Sequence, residues 1–128
     1  MVVFGAPLAA EDDTERALIT AVDMQNKIKE LNDIRKQRGE DPVLVGAGIN
    51  KGFVVSGNIG SRDMMDYTVI GDTVNLGSRL CSAAGPGEII VSKEVIKNQE
   101  DNFTFKELKP ILVKGKKDKI NIYKVKYE

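Results

Sequence analysis

The sequence has 128 residues, of which 41% are hydrophobic, a length and an apolar content that suit one compact domain. Nineteen basic and nineteen acidic residues give a formal net charge of +0, so no overall positive field favours nucleic acid or an anionic membrane surface as a partner. The single cysteine, Cys81, and the lack of histidine exclude an internal disulfide, a Cys/His zinc site and any His-based catalytic triad, and they favour a reducing, cytoplasmic compartment.

The first seven residues, "MVVFGAP", indicate a short apolar strand that Gly5 and Pro7 terminate. A strand that begins at residue 1 is abrupt. We therefore expect the natural domain to begin earlier, and the chain to be an N-terminally truncated part of it.

A long amphipathic helix is predicted from about Asp12 to Arg38, ending at Gly39. Asp12 and Glu15 resemble a capping box. Apolar residues recur in this segment at spacings of four and three, which predicts a buried stripe formed by Ala17, Ala21, Met24, Ile28 and Leu31.

The stretch "PVLVGAGINKGFVVSGNIG" contains two runs rich in β-forming residues. The segment Asn50-Lys51-Gly52 separates them and predicts a hairpin turn. The glycines weaken the strand propensity, and they indicate that another part of the backbone approaches closely.

The stretch "MDYTVIGDTVNLGSRL" predicts a strand followed by a helix that opens at residues 71–73, with Asp72 and Thr73 as capping residues. At roughly 100° per residue, Asn75 and Arg79 point the same way, one turn apart. The pattern alone also fits a helix whose polar stripe is merely solvated. The predicted apolar arc comprises Val74, Leu76, Gly77, Leu80, Cys81, Ala83 and Ala84.

The C-terminal part predicts a buried strand at "GEIIVS", a short helix from Ser92, and two closing strands around "FKELKPILV" and "KINIYKVKY". A lysine-rich turn, "KGKKDK", links the closing strands. Four or more strands with two main helices predict a layered α/β sandwich. No apolar run approaches the roughly 20 residues that span a bilayer, so no direct membrane contact is expected of this segment, although a longer parent protein could be tethered.

The string "GNIGSRDMMDYTVIGDTVNLGSRL" closely resembles the core signature of class III nucleotidyl cyclases, and the resemblance extends from "MVVFGAP" to "LVKGK". It implies that residues 1–128 are a partial cyclase catalytic domain of ferredoxin-like α/β (α+β) fold. The family works as a head-to-tail homodimer whose active sites are built from both subunits. It converts a nucleoside triphosphate to a 3′,5′-cyclic monophosphate and pyrophosphate.

The resemblance implies a role for each of four residues. Asn75 would hold the ribose in the attacking pose, Arg79 would stabilise the α-phosphate, and Lys114 would contact the triphosphate. Without the resemblance, Lys114 suits a solvated turn. Thr68 occupies the base-reading position, where its hydroxyl could pair with adenine or guanine, and an ordinary strand residue is the alternative. Threonine there resembles the bicarbonate-responsive adenylyl cyclases, which favours ATP over GTP.

The family uses two Mg²⁺ or Mn²⁺ ions held by two aspartates, and both are expected upstream of Met1. Asp12 and Asp13 are not assigned to metal, because carboxylates are favoured at a helix start. The chain alone is therefore expected to be inactive. Two alternatives remain, a guanylyl cyclase and a non-catalytic cyclase-like nucleotide-binding or regulatory module; an RNA-binding domain is less favoured because the net charge is zero and aromatic residues are few.

Overall fold

The computed structural model describes residues 1–5, 9–53, 55–59, 66–112 and 118–127, and for residues 55–59 and 66–70 it describes the backbone. None of the helices in these ranges has the length and apolar character needed to cross a membrane. The elements in chain order are α1 (Asp13–Gln37), β1 (Ala47–Ile49), β2 (Val55–Ile59), β3 (Asp66–Ile70), α2 (Asp72–Ala83), β4 (Ile89–Ser92), α3 (Lys93–Ile96), β5 (Thr104–Glu107), β6 (Ile111–Leu112), β7 (Lys119–Ile120) and β8 (Ile122–Lys126).

The main sheet has four strands in the order β1-β4-β8-β5. Strand β1 runs parallel to β4, with Ala47 opposite Ile89, whereas β8 is antiparallel to both β4 and β5. Two small antiparallel pairs stand apart from it, β2 with β3 and β6 with β7. The short helix α3 begins directly after Ser92, as the sequence predicts.

Helices cover both faces of the main sheet, and each face has its own apolar cluster. All four residues of β4 are buried, and they alternate between the faces as strand geometry requires. Ile89 and Val91 pack with Leu18 of α1, while Ile90 packs with Leu80 of α2. The layered α/β sandwich expected from the sequence is therefore confirmed.

The predicted bounds of α1 are confirmed to within a residue, and Gly39 follows its end with a φ of +71°. The predicted buried stripe is largely wrong. The buried residues are Leu18, Ala21 and Gln25, and Met24 is 51% exposed. The buried face of α1 therefore differs from the predicted one. Gln25 explains the difference, because its Nε2 donates to the backbone oxygens of Val45 (2.9 Å) and Glu88 (3.3 Å) and so turns this side of the helix towards the sheet. A polar residue thus occupies a position that an apolar pattern cannot reveal.

Two predictions near the N-terminus are wrong. The side chain of Asp12 makes no capping hydrogen bond; instead Asp13 Oδ2 accepts one from the Ala10 amide at 2.7 Å. Residues 1–5 contain no strand, and Met1 and Val2 are exposed. A strand exists only where a neighbour satisfies its backbone, and residues 1–5 pair with none of the described strands.

The hairpin predicted at residues 50–52 is also wrong. Strand β1 pairs with β4, and β2 pairs with β3, so the two runs join different sheets. The side chain of Asn50 is engaged by α2 and β4, which draws the chain away from a tight turn. Each of the two predicted closing strands is divided into two in the structure. The first contains β5 and β6, and the second contains β7 and β8; β5 pairs with β8, and β6 pairs with β7.

The chain's C-terminal end is fixed by Tyr127. Its hydroxyl donates to the backbone oxygen of Gly87, and Lys29 Nζ of α1 lies 4.6 Å from the ring centroid. Burial raises the pKa of Tyr127 above its ordinary value of 10.0. The folded state therefore favours the neutral phenol, which alone can donate this hydrogen bond.

We expect Tyr127→Phe to lower the free energy of unfolding by about 1 kcal/mol at neutral pH, because one hydrogen bond is lost. The difference should be fully present below about pH 10 and should shrink as pH rises through the raised pKa, because the unfolded chain then loses its proton first. Urea titrations of both proteins at a series of pH values measure it. A difference that stays constant up to about pH 11 would contradict this role.

Candidate functional site

The exposed polar side chains of helix α2 include an asparagine and an arginine one turn apart. It begins directly after β3, and its sheet-facing side is anchored by Leu80, which is fully buried. Asn75 and Arg79 lie on the exposed side. At this spacing their Cβ atoms are about 6 Å apart, so both can contact one small ligand. Arg79 is the sole basic residue of the helix, and its guanidinium can make two parallel hydrogen bonds to a phosphate.

The apolar arc of α2 is narrower than predicted, because Cys81 and Ala83 are exposed. The capping role predicted for Thr73 is wrong. Gly71 is the N-cap and makes no side-chain capping bond, while Thr73 Oγ1 donates to the backbone oxygen of Phe53 at 2.7 Å. Thr73 therefore ties the first turn to the loop that follows β1.

Backbone contact holds α2 against β1. A Cβ atom added to Gly48 would lie 2.3 Å from the backbone nitrogen of Cys81, a separation too short for any side chain. The close approach indicated by the glycines in the sequence is confirmed here. Because no side chain separates the two elements, the position of the helix relative to the strand is fixed.

Asn50 is a site residue that the sequence prediction missed, because it was assigned to a hairpin turn. Its Nδ2 donates to the backbone oxygen of Thr73 at 2.9 Å, and its Oδ1 accepts from Ser92 Oγ at 2.6 Å. One side chain thus joins the end of β1, the first turn of α2 and the end of β4. An asparagine directly after a strand, amid glycines, was the available signal.

Two predicted site residues have no described side chain. Thr68 lies in β3 opposite Gly57, in the strand that leads into α2. Lys114 lies outside the described residues, between β6 and β7. Ile111 of β6 and Ile120 of β7 pack against the apolar cluster that contains Leu80, so the strands flanking Lys114 share that cluster with the helix that carries Asn75 and Arg79. The roles predicted for all four residues remain predictions.

An open depression of about 410 Å³ lies beside the first turn of α2. Asn50, Thr73 and Leu76 form part of its wall. Its lysines, Lys51 and Lys93, are matched by two carboxylates, those of Asp72 and Glu94. The charged side chains that line the depression therefore give no excess of positive charge.

The described residues do not form a site for a metal ion. Within ranges 1–5, 9–53, 71–112 and 118–127, no three histidine, cysteine, aspartate or glutamate side chains come together. Asp13 instead bonds the Ala10 amide and lies 3.8 Å from Arg16 Nη1. The two-metal site that the family resemblance implies needs only two aspartates, and it stays a prediction.

The sequence and fold are similar to those of known nucleotide cyclases. The family model described as "Adenylate and Guanylate cyclase catalytic domain" matches residues 1–127. An adenylate cyclase of Mycobacterium tuberculosis is 40% identical over 116 residues, covering 91% of this chain and 25% of that protein. The chain thus spans about a quarter of the length of this relative.

Two solved structures have a similar fold. The adenylyl cyclase CyaB from P. aeruginosa superimposes with a TM-score of 0.88 at 35% identity, over 98% of this chain and 65% of that one. The guanylyl cyclase Cya2 gives a TM-score of 0.82 at 37% identity, over 95% of this chain and 62% of that one. The expected fold is therefore confirmed. The adenylyl cyclase and the guanylyl cyclase have similar sequence identities to this chain, 35% and 37%.

Proposed function

The chain belongs to the family of adenylate and guanylate cyclase catalytic domains, and from that premise we propose that it is part of an adenylyl cyclase acting in cyclic-nucleotide signalling. The proposed reaction converts ATP to 3′,5′-cyclic AMP and pyrophosphate. The observation that carries the proposal is the pair of exposed side chains on α2, an amide and a guanidinium one turn apart on a helix fixed by backbone contact.

The reaction requires the two kinds of group that α2 presents. The ribose 3′ oxygen bonds to the α-phosphorus while the bond from that phosphorus to pyrophosphate breaks, so the ribose must be held in line with the leaving group. An amide such as Asn75 can orient the ribose as a neutral donor or acceptor. The guanidinium of Arg79 can stabilise the negative charge that accumulates on the phosphate oxygens.

The remaining roles are proposed on the family resemblance. Lys114 would contact the triphosphate from the turn between β6 and β7, and Thr68 would contact the base. Two Mg²⁺ or Mn²⁺ ions would neutralise the triphosphate, held by two aspartates from outside the described residues. We also propose a cytoplasmic homodimer with shared active sites, a proposal that the solvent exposure of Asn75 and Arg79 supports.

A guanylyl cyclase is the second candidate. The similarity to Cya2 favours it, and a threonine hydroxyl at position 68 can accept from the amino group of adenine or donate to O6 of guanine. The choice of ATP rests on the resemblance of Thr68 to the bicarbonate-responsive adenylyl cyclases.

We expect the full-length gene product to form cyclic AMP from ATP in preference to cyclic GMP from GTP, and to respond to bicarbonate. Parallel assays with both nucleotides and Mn²⁺, with and without bicarbonate, measure this. The 128-residue chain assayed alone is expected to form neither product. Preferential formation of cyclic GMP would overturn the adenylyl assignment. Use of ATP that bicarbonate does not affect would contradict only the assignment to the bicarbonate-responsive subgroup. No product from either nucleotide would favour the non-catalytic module.

A further inference from the structure

Asn50 joins three elements through two short hydrogen bonds. Its amide reaches the backbone oxygen of Thr73 in the first turn of α2, and its Oδ1 accepts from Ser92 at the end of β4. Ser92 is buried at 3% exposure, whereas Asn50 and Thr73 are half-buried. A hydrogen bond in such a setting is costly to lose, because the buried partner is left unsatisfied.

The chemistry of the partners fixes the orientation of the Asn50 amide. A backbone carbonyl can only accept, so the group facing Thr73 must be the amide nitrogen. The oxygen then faces Ser92, whose hydroxyl can donate. Both bonds require this one arrangement, and therefore the side chain is held in a single rotamer.

The first turn of α2 is held by this anchor together with the hydrogen bond from Thr73 to Phe53. Its N-cap, Gly71, contributes no side-chain hydrogen bond, and the amides of Val74 and Asn75 both bond to the backbone oxygen of Gly71 at 3.1 Å. Asn75 is thus part of the turn that Asn50 tethers, and Arg79 follows one turn later on the same helix.

We propose that Asn50 is a positioning residue, which holds the first turn of α2 and thereby sets the positions of Asn75 and Arg79 relative to the nucleotide. The inference rests on the proposed cyclase function. Asn50 lies at the junction of β1, α2 and β4, and the proposed role is exerted through the helix.

The test compares two asparagine-to-aspartate substitutions in the full-length gene product. Asn50→Asp keeps an acceptor for Ser92 but places a carboxylate oxygen against the Thr73 carbonyl. Asn32→Asp is the matched control, because Asn32 Nδ2 donates to the Val43 oxygen at 2.9 Å while its Oδ1 accepts from the Val43 amide. Asn32→Asp removes an equivalent hydrogen bond, but that bond joins α1 to the segment before β1 and does not involve α2.

We expect Asn50→Asp to lower kcat by about 10-fold to 100-fold, the range that a misplaced catalytic group costs, with little change in KM for ATP. Asn32→Asp should reduce stability while retaining kcat. If Asn50→Asp does not fold, Ser92→Ala is used instead; it removes the bond that orients the Asn50 amide, and a smaller fall in kcat is expected. Wild-type kcat in the Asn50 variant, or an equal loss in the Asn32 variant, would overturn the proposal.

Hydrogen exchange separates this inference from the proposed function. The amides of Val74 and Asn75 should exchange faster in Asn50→Asp than in the wild type or in Asn32→Asp. If the wild-type protein makes no cyclic nucleotide, the proposed function fails, yet faster exchange would still support the anchoring of α2. Unchanged exchange at these two amides would overturn the anchoring itself.

Discussion

Replacing Arg79 with alanine is expected to lower kcat of the full-length gene product by about 10²-fold, the cost of removing a group that stabilises charge in a transition state. KM for ATP should change much less, because the charge on the phosphate oxygens is greatest in the transition state. Asn75→Ala should lower kcat by a similar factor through loss of ribose orientation. Steady-state kinetics with ATP and Mn²⁺ measure both variants.

Arg16→Ala is the matched control for the arginine substitution. Arg16 is an exposed arginine of α1, 3.8 Å from Asp13, and it has no part in the proposed site. The Arg16→Ala variant should therefore retain the wild-type kcat. Arg79→Lys should recover only part of the activity, since an ammonium keeps the charge but loses the planar pair of donors. If Arg79→Ala loses stability in proportion to activity, the polar face of α2 is structural and the catalytic assignment fails.

The second large effect is expected at the contact between β1 and α2. Gly48→Ala should lower the free energy of unfolding by about 3 kcal/mol, because the new methyl group would overlap the backbone at Cys81 and force helix and strand apart. Urea denaturation of the 128-residue chain measures this loss. No flexible side chain lies at the point of overlap that could move aside.

Gly77→Ala is the control for this substitution, because it adds the same methyl group to α2 at a position where there is room for it. A Cβ atom there would meet only the Asn50 Cβ, at 3.7 Å, which is an ordinary contact. Alanine is also favoured over glycine inside a helix by about 1 kcal/mol. The Gly77 variant should thus be as stable as the wild type or more so. Similar losses at both glycines would show that the packing of α2 on β1 is not the cause.

The sequence predicted those features that depend on neighbouring residues. The strand-to-helix transition at Gly71 and the buried strand at residues 89–92 follow from local composition and periodicity, and both are confirmed. The glycine at position 48 correctly indicated a close approach, although not which element approaches. The juxtaposition of Asn75 and Arg79 needed only the geometry of one helix.

The features that it missed depend on residues far apart in the chain. The hairpin at residues 50–52 was a reasonable local prediction, but the parallel pairing of β1 with β4 overrides it. The buried face of α1 is set by Gln25 bonding to Val45 and Glu88, and no apolar pattern contains that bond. The role of Asn50 was hidden for the same reason, because its partners come from α2 and β4.

The parallel pairing of β1 with β4 has a consequence for how the chain reaches its fold. The hairpins β2–β3 and β6–β7 join near neighbours, whereas the Asn50–Ser92 bond closes a loop of 42 residues and the Gln25–Glu88 bond one of 63. Long loops lose more entropy on closure and slow the search for native contacts. We therefore expect β1 and α1 to dock late in refolding, after β8 has paired with β5, so that the pulse-labelled amide of Ala47, which bonds to the Glu88 oxygen, becomes protected last. The helix that carries Asn75 and Arg79 would then acquire its final position only in the slowest step of folding.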